Sequence, residues 1–195
     1  MNPPNEATQA LTNYFSRFQA ILRAIHMNAI LDLTEEMKAA KLNGGRIFVC
    51  GNGGSAALAS HFVTDIGSGS VKRGQYFPII SLVDGSPVIT AAANDFGYSH
   101  IFSRQLMTLA QARDLLIVIS SSGNSQNLIE AVSYAKSIGM RTGGLLGFDG
   151  GKLLKLLDAP ILVESAVGEY GPIEDSHSCI LHAMTELLRG ELVND

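Results

Sequence analysis

Ile47-Phe-Val-Cys-Gly51-Asn-Gly-Gly-Ser55-Ala-Ala-Leu-Ala-Ser-His61-Phe-Val-Thr-Asp65 is the stretch that sets the architecture of this 195-residue chain. Four residues of strand character at 47–50 run into a glycine turn at 51–54, and Ser55 opens a stretch with helical spacing. A strand that ends at a helix N-terminus makes an anion site, because free N–H groups and the positive end of the helix dipole point at one place. The glycines let the backbone approach an oxygen ligand with no Cβ in the way. Further along the same helix His61 and Asp65 stand four residues apart, which puts imidazole and carboxylate on one face. An anion cradle beside a metal-binding or acid–base pair points to a phosphorylated substrate.

Working outward, 195 residues suit one domain over 1–195 with a substantial core. Charged residues make up 16% and hydrophobic ones 46%, a balance that excludes a disordered chain. A net charge of −4 argues against a general nucleic-acid binder, which needs a basic face. No apolar run is long enough to span a bilayer, and the opening Met1-Asn-Pro-Pro-Asn-Glu lacks the basic and apolar regions of a signal peptide. Cys50 and Cys179 have neither metal-motif nor disulfide-framework spacing, so a reduced, cytoplasmic protein is expected.

After Pro3-Pro4, residues Leu11, Phe15, Phe18, Leu22 and Ile25 recur at helical spacing as a narrow apolar seam. Ile30, Leu33 and Met37 continue a second helix that Asn43-Gly44-Gly45 ends. This segment, 1–43, either covers the core or forms an oligomer contact. Alternation follows: strands are predicted over 47–50, 78–82, 115–119, 142–146 and 159–163. Between them lie helical segments over 55–66, 87–93, 101–110 and 127–137, a loop at 67–70 and a short helix from Gly150-Gly151. Pro160 places the last strand at an edge. A long helix over 173–192 ends the chain. The pattern predicts an α/β fold, a three-layer α/β/α sandwich around a five-stranded parallel sheet, with N-terminal helices added.

A second cradle follows the buried strand at 115–119. Ser120-Ser121-Ser122-Gly123-Asn124-Ser125 offers hydroxyls and free N–H groups before a helix, neutral donors suited to a phosphate monoester. Serine loops are common for bland reasons, but two such loops after two strands would lie together beyond the carboxyl ends of an open sheet. The glycine loop also fits G-x-G-x-x-A, so nucleotide binding stays as an alternative. About twenty residues on, however, where an acidic ribose partner is expected, the chain reads Ser70-Val-Lys72-Arg73, and Asp84 comes late. No Lys-Ser or Lys-Thr follows the glycines, which excludes a P-loop.

On the final helix Ile173, His177, Ile180, Leu181, Met184, Leu187 and Leu188 form a core stripe, with His177 read as a hydrogen-bonded core histidine. Beside it Glu174, Ser178 and His182 make a polar line that suits either solvent or a site. With His61 and Asp65 they would complete a two-histidine, two-carboxylate set for zinc or another divalent first-row metal.

Cys50-Gly-Asn-Gly-Gly-Ser55, Asn94-Asp95-Phe-Gly, Ile101-Phe-Ser-Arg104 and Ile119-Ser-Ser-Ser-Gly-Asn-Ser125, read together, resemble the sugar isomerase (SIS) domain family. The likeness is greatest to its members that isomerise sedoheptulose 7-phosphate in bacterial heptose biosynthesis, and it covers nearly the whole chain. The resemblance implies a flavodoxin-like three-layer fold, a homotetramer with sites between subunits, and conversion of the ketose phosphate to D-glycero-D-manno-heptose 7-phosphate. It places Asn52, Gly53, Gly54, Ser55, Asn94, Asp95, Ser120, Ser121, Ser122 and Ser125 on the sugar phosphate. It makes His61 and His182 zinc-binding histidines, with His182 also a catalytic acid–base, and Asp65 and Glu174, at the two neighbouring positions of that site, join them as candidate metal-binding and catalytic residues.

Two positions depart from the family pattern: Asp65 stands where a glutamate is usual, and Glu174 where a glutamine is usual. Asp is one methylene shorter, and a misplacement near 1 Å can cost roughly a hundredfold in rate. Either the two carboxylates exchange duties or the chemistry has moved to another sugar phosphate or been lost. A non-catalytic member of the same fold that binds sugar phosphates or proteins, including a replication initiator, is the competing class.

Overall fold

The computed structural model describes residues 5–67 and 76–190. Pro3-Pro4, most of the 67–70 loop, Ser70-Val-Lys72-Arg73 and Leu192 lie outside the described residues. Helices α1 (Glu6–Ala24) and α2 (Met27–Leu42) lead into β1 (Ile47–Gly51) and α3 (Gly54–Gly67). Then come β2 (Ile79–Ser81), α4 (Ser86–Phe96), α5 (Ser103–Leu109), β3 (Leu115–Ser120) and α6 (Gln126–Ser137). The chain continues through β4 (Arg141–Phe148) and β5 (Ala159–Glu164) into α7 (Tyr170–Arg189). All strand pairs are parallel, in the order β2-β1-β3-β4-β5. That is the predicted sheet, with β5 at an edge as Pro160 required.

Alternate strand residues feed two apolar layers, as a pleat demands. Val49, Ile117, Ile119, Leu145 and Ile161 pack with Leu33 and Met37 of α2, Phe62 and Ile66 of α3, and Ile173, Ile180 and Met184 of α7. Phe48, Cys50, Leu116, Val118 and Leu146 pack on the other side with Leu106 of α5 and Leu128, Ala131 and Val132 of α6. Because strands buried on both faces carry apolar side chains at every position, 115–119 reads as a continuous aliphatic run.

Several boundaries differ from expectation. Strand β4 extends two residues past the predicted 146, to Phe148, which pairs with Glu164 of β5. Gly147 makes this close packing feasible: a Cβ there would lie 2.5 Å from Ile173 Cδ1 of α7. Helix α7 begins at Tyr170 rather than 173, since Pro172 sits in the first turn, where no N–H is needed. It stops at Arg189 because Gly190 turns left-handed at φ 74. The short helix expected from Gly150-Gly151 is a 3₁₀ turn at Leu153–Lys155.

Helix α1 starts at Asn5, whose side chain accepts the Thr8 N–H at 2.8 Å. It buries no residue, but Ile21 and Leu22 lean on the core. The Tyr14 hydroxyl donates to Asp175 at 2.6 Å, holding α1 on α7. Leu11 and Phe15 stay 62% and 57% exposed, so part of the seam faces away from this chain's core.

His177 is fully buried on the core stripe, as expected, but among the described residues neither ring nitrogen has a hydrogen-bond partner of good geometry. Burial lowers its pKa to about 4 from 6.5, with the nearby Leu146 backbone opposing only weakly. Between those values the unfolded chain holds a proton that the folded chain lacks. Stability is therefore intact above about pH 6.5 and is lost as pH falls toward 4, by about 3 kcal/mol in all. Urea unfolding of wild type should lose about 2 kcal/mol between pH 7 and pH 5 that a His177→Leu variant does not lose. Equal slopes in the two proteins would show that His177 does not set acid lability.

Candidate active site

Strands β1 and β3 are neighbours in register, with Gly51 opposite Ile119, so their following loops leave the sheet at one level. The strand order reverses between them, at the switch point where open α/β sheets bind ligands. The loops line a polar cleft of about 230 Å³. Asn52 and Ser55 contribute from the glycine side, and Ser120, Ser121, Ser122 and Ser125 from the serine side. Tyr170 and Glu174, from the first turns of α7, complete its wall.

Each loop is held by its own chemistry. Ser120 Oγ accepts the Gly123 N–H at 3.0 Å, and Asn124 Nδ2 donates to the Ser122 carbonyl at 2.9 Å. Asn124 Oδ1 accepts the Lys152 N–H at 3.1 Å, tying the serine loop to the turn after β4. Gly123 has φ +62, and a Cβ on it would meet the Gly150 carbonyl oxygen at 2.0 Å. Ser125 occupies the N-cap of α6 yet makes no side-chain cap bond, so its hydroxyl stands free at the cleft. On the glycine side α3 starts at Gly54, where a Cβ would lie 2.6 Å from Glu174 Oε2. The Glu174 carboxylate thus rests against the positive end of α3.

Farther along the α3–α7 contact, His61, Asp65 and His182 each turn a ligand atom to a common point, all within 4.8 Å of one another. Asp65 Oδ2 is 3.3 Å from His61 Nε2 and 3.6 Å from His182 Nε2. Donor atoms on a tetrahedral metal with bonds near 2.05 Å are about 3.3 Å apart, so two edges are already at metal-site length. The imidazoles are about half exposed, which leaves a further position open to water or substrate. Two histidines and one carboxylate suit a divalent first-row metal. Ser178 lies beside them in the α3–α7 contact, where the two helices close without leaving open space. The Arg189 guanidinium donates to the Asp65 carbonyl and ties the two helices at that end.

The fold therefore gathers Asn52, Ser55, Ser120, Ser121, Ser122, Ser125 and Glu174 into one cleft, with Gly53 and Gly54 forming the turn itself. It gathers His61, Asp65 and His182 into another group, and Glu174 stands outside that group. The four-member ligand set is thus three plus one: two helical turns, about 12 Å of rise, separate Glu174 from His182 on α7. Asn94 and Asp95 do not line the cleft. They are exposed at the end of α4, Asn94 donating to Asp95 at 2.9 Å, and Asp95 lines a separate groove with Phe96 and Arg104. Asp84, the late ribose candidate, accepts the Ser60 hydroxyl instead. Sequence reasoning missed Tyr98, Asn127, Tyr170 and Arg189, none of which sits in a motif; each matters only through a partner far away in the chain.

Residues 13–147 match the SIS domain family. The chain is 39% identical to the phosphoheptose isomerase of Campylobacter concisus over 172 residues, covering 85% of this chain and 90% of that protein. The phosphoheptose isomerase structure from Neisseria gonorrhoeae superposes with a TM-score of 0.82 at 32% identity, over 93% of this chain and 99% of that one. That from Francisella tularensis does so at 0.81 and 28%, over 96% and 98%.

The clamp on the serine loop is directly testable. Gly123→Ala combines a left-handed backbone with a collision against a carbonyl, and should cost about 2–4 kcal/mol in denaturant unfolding. A change below 0.5 kcal/mol would mean that the loop relaxes freely.

Proposed function

Since the chain belongs to the SIS-domain family and, within it, to the phosphoheptose isomerases, we propose that it interconverts sedoheptulose 7-phosphate and D-glycero-D-manno-heptose 7-phosphate. The observation that carries this reading is the convergence of the glycine and serine loops on one cleft that also holds a carboxylate, Glu174. The serine hydroxyls and the N-terminus of α6 suit the phosphate, and Asn52 and Ser55 the sugar chain.

The two carboxylates then divide the work opposite to the family pattern. Glu174, inside the cleft, removes the C1 proton of the ketose; the electron pair forms the C1–C2 double bond of an enediolate as charge moves onto O2. The same group, now protonated, returns the proton to C2, and the C1 oxygen becomes the aldehyde. Because His182 lies two turns from Glu174 on the same helix, the His182 that exchanges the hydroxyl proton between O1 and O2, through the ring nitrogen that does not face Asp65, is one brought to the cleft by a second copy of the chain. His61, Asp65 and His182 are the residues that would hold a divalent ion, zinc first, whose charge would stabilise the developing oxyanion. Asp65, shorter by a methylene than the usual glutamate, already stands at ligand distance from both imidazoles, which supports a holding role.

A homotetramer with sites between subunits fits two observations. Asn94 and Asp95, assigned to the sugar phosphate, lie outside this chain's own cleft, and beside them Val88, Phe96 and Leu109 leave an apolar groove open. A second copy would cover that groove and bring its Asn94 and Asp95 to the site. No helix among the described residues is long and apolar enough to cross a membrane, and two free thiols are compatible with a cytoplasmic setting.

Proton NMR of the zinc-supplemented protein with sedoheptulose 7-phosphate should show aldose anomeric signals that a chelator abolishes. Glu174→Gln should lower turnover at least about a hundredfold with zinc affinity unchanged, whereas Asp65→Asn should lower zinc affinity at least about tenfold. Wild-type turnover in Glu174→Gln would remove it from the proton path. Sugar phosphate bound without any turnover would leave a non-catalytic binding protein.

A further inference from the structure

The two loops that form the cleft are joined by a side-chain clasp that no motif contains. Asn52 Nδ2 donates to Asn127 Oδ1 at 2.9 Å, and Asn127 Nδ2 donates back to Asn52 Oδ1 at 2.8 Å. The Tyr98 hydroxyl donates to the same Asn52 oxygen at 2.9 Å. Asn127 is only 2% exposed and lies in the first turn of α6, directly after the serine loop; Asn52 follows β1 in the glycine loop. The pair thus spans 75 residues of chain across the switch point.

An amide offers two acceptor lone pairs and two N–H donors. Both lone pairs of Asn52 are taken, and one N–H is spent on Asn127. A single N–H remains on a side chain that lines the cleft. The carbonyl is turned inward to its two donors, so the amide presents a donor, not an acceptor, to whatever occupies the cleft. The pair is also stiff on its inner side, because breaking it leaves the buried Asn127 amide without its partner.

We propose that Asn127 is a positioning residue for the isomerase site: through Asn52 it locks the glycine loop to the start of α6, so that both loops act as one rigid cradle with the free Asn52 N–H as a fixed donor to a substrate oxygen. The proposal rests on the functional reading above for its substrate, but the clasp itself does not. Tyr98, 60% exposed, is the outer member of the clasp and joins the end of α4 to the same oxygen.

The test compares full-length wild type with Asn52→Ala, Asn127→Ala and the double variant, using sedoheptulose 7-phosphate turnover and side-chain nitrogen–proton correlation spectra. Asn127→Ala should lower kcat/KM about tenfold, mostly through KM, as a displaced donor requires. In the Asn52→Ala background it should cost nothing further. The Asn52 side-chain amide signals should be shifted and slow to exchange with solvent in wild type, and should collapse toward free-asparagine positions in Asn127→Ala. Asn127→Leu, similar in size and able neither to donate nor to accept, repeats the comparison if the alanine variant does not fold. Additive losses in the double variant, or unchanged kcat/KM and unchanged Asn52 signals in both Asn127 variants, would overturn the proposal. If wild type turns over no substrate, the functional reading falls, and the amide signals alone decide the clasp: unaltered signals sink it and their collapse upholds it.

Discussion

Parallel pairing of β1 with β3 is the constraint on which the site depends. Their register ends with Gly51 opposite Ile119, and the sheet order reverses at this pair. Helix α3 leaves β1 on the face of α2 and α7, and α6 leaves β3 on the other, so the two connections diverge and open a crevice between their loops. A one-residue slip would move every apolar side chain of a strand to the wrong face. Burial on both sides therefore fixes the register, and the register fixes the height of both loops.

Helix α7 then brings chemistry to that crevice from the side. Its apolar stripe of Ile173, Ile180, Met184 and Leu188 seats it on the sheet, and this leaves Glu174, Ser178 and His182 facing α3. Gly54 admits Glu174 to the start of α3, and Ser178 lies beside His61, Asp65 and His182 where the two helices close together. One packing contact thus supplies a carboxylate to the cleft and an imidazole to the neighbouring group. Core packing carries the cost of this arrangement, since a helix that ties down two sites has little freedom to repack.

Rigidity at the loops comes from hydrogen bonds rather than apolar contact. The Gly123 N–H on Ser120 and the Asn124 bond to Ser122 brace the serine loop internally, while the Asn124–Lys152 and Asn52–Asn127 bonds bridge segments remote in the chain. Polar groups so held meet a ligand without first having to be ordered, which is where preorganised sites gain over flexible ones.

The layer order, the edge placement of β5 and the identity of both loops were readable in the chain itself. They follow from local pattern: continuous aliphatic runs such as 115–119, glycine and serine turns after them, and helical spacing in between. The pairing of His61 with Asp65 was readable too, because four residues on one helix is a local distance. What the chain alone left open was which remote groups meet. Spacing made Glu174 and His182 equal candidates for a single ligand set, and only the crossing of α3 and α7 separated them into cleft and metal group. Asn127 read as an ordinary first-turn residue and Tyr98 as a loop aromatic, until the fold set both against Asn52. Likewise His177 was readable as core, but the lack of a well-formed hydrogen bond to its nitrogens among the described residues was not. Periodicity reports which face a residue occupies, whereas a contact between distant segments depends on helix crossing and register, which are properties of the packed whole.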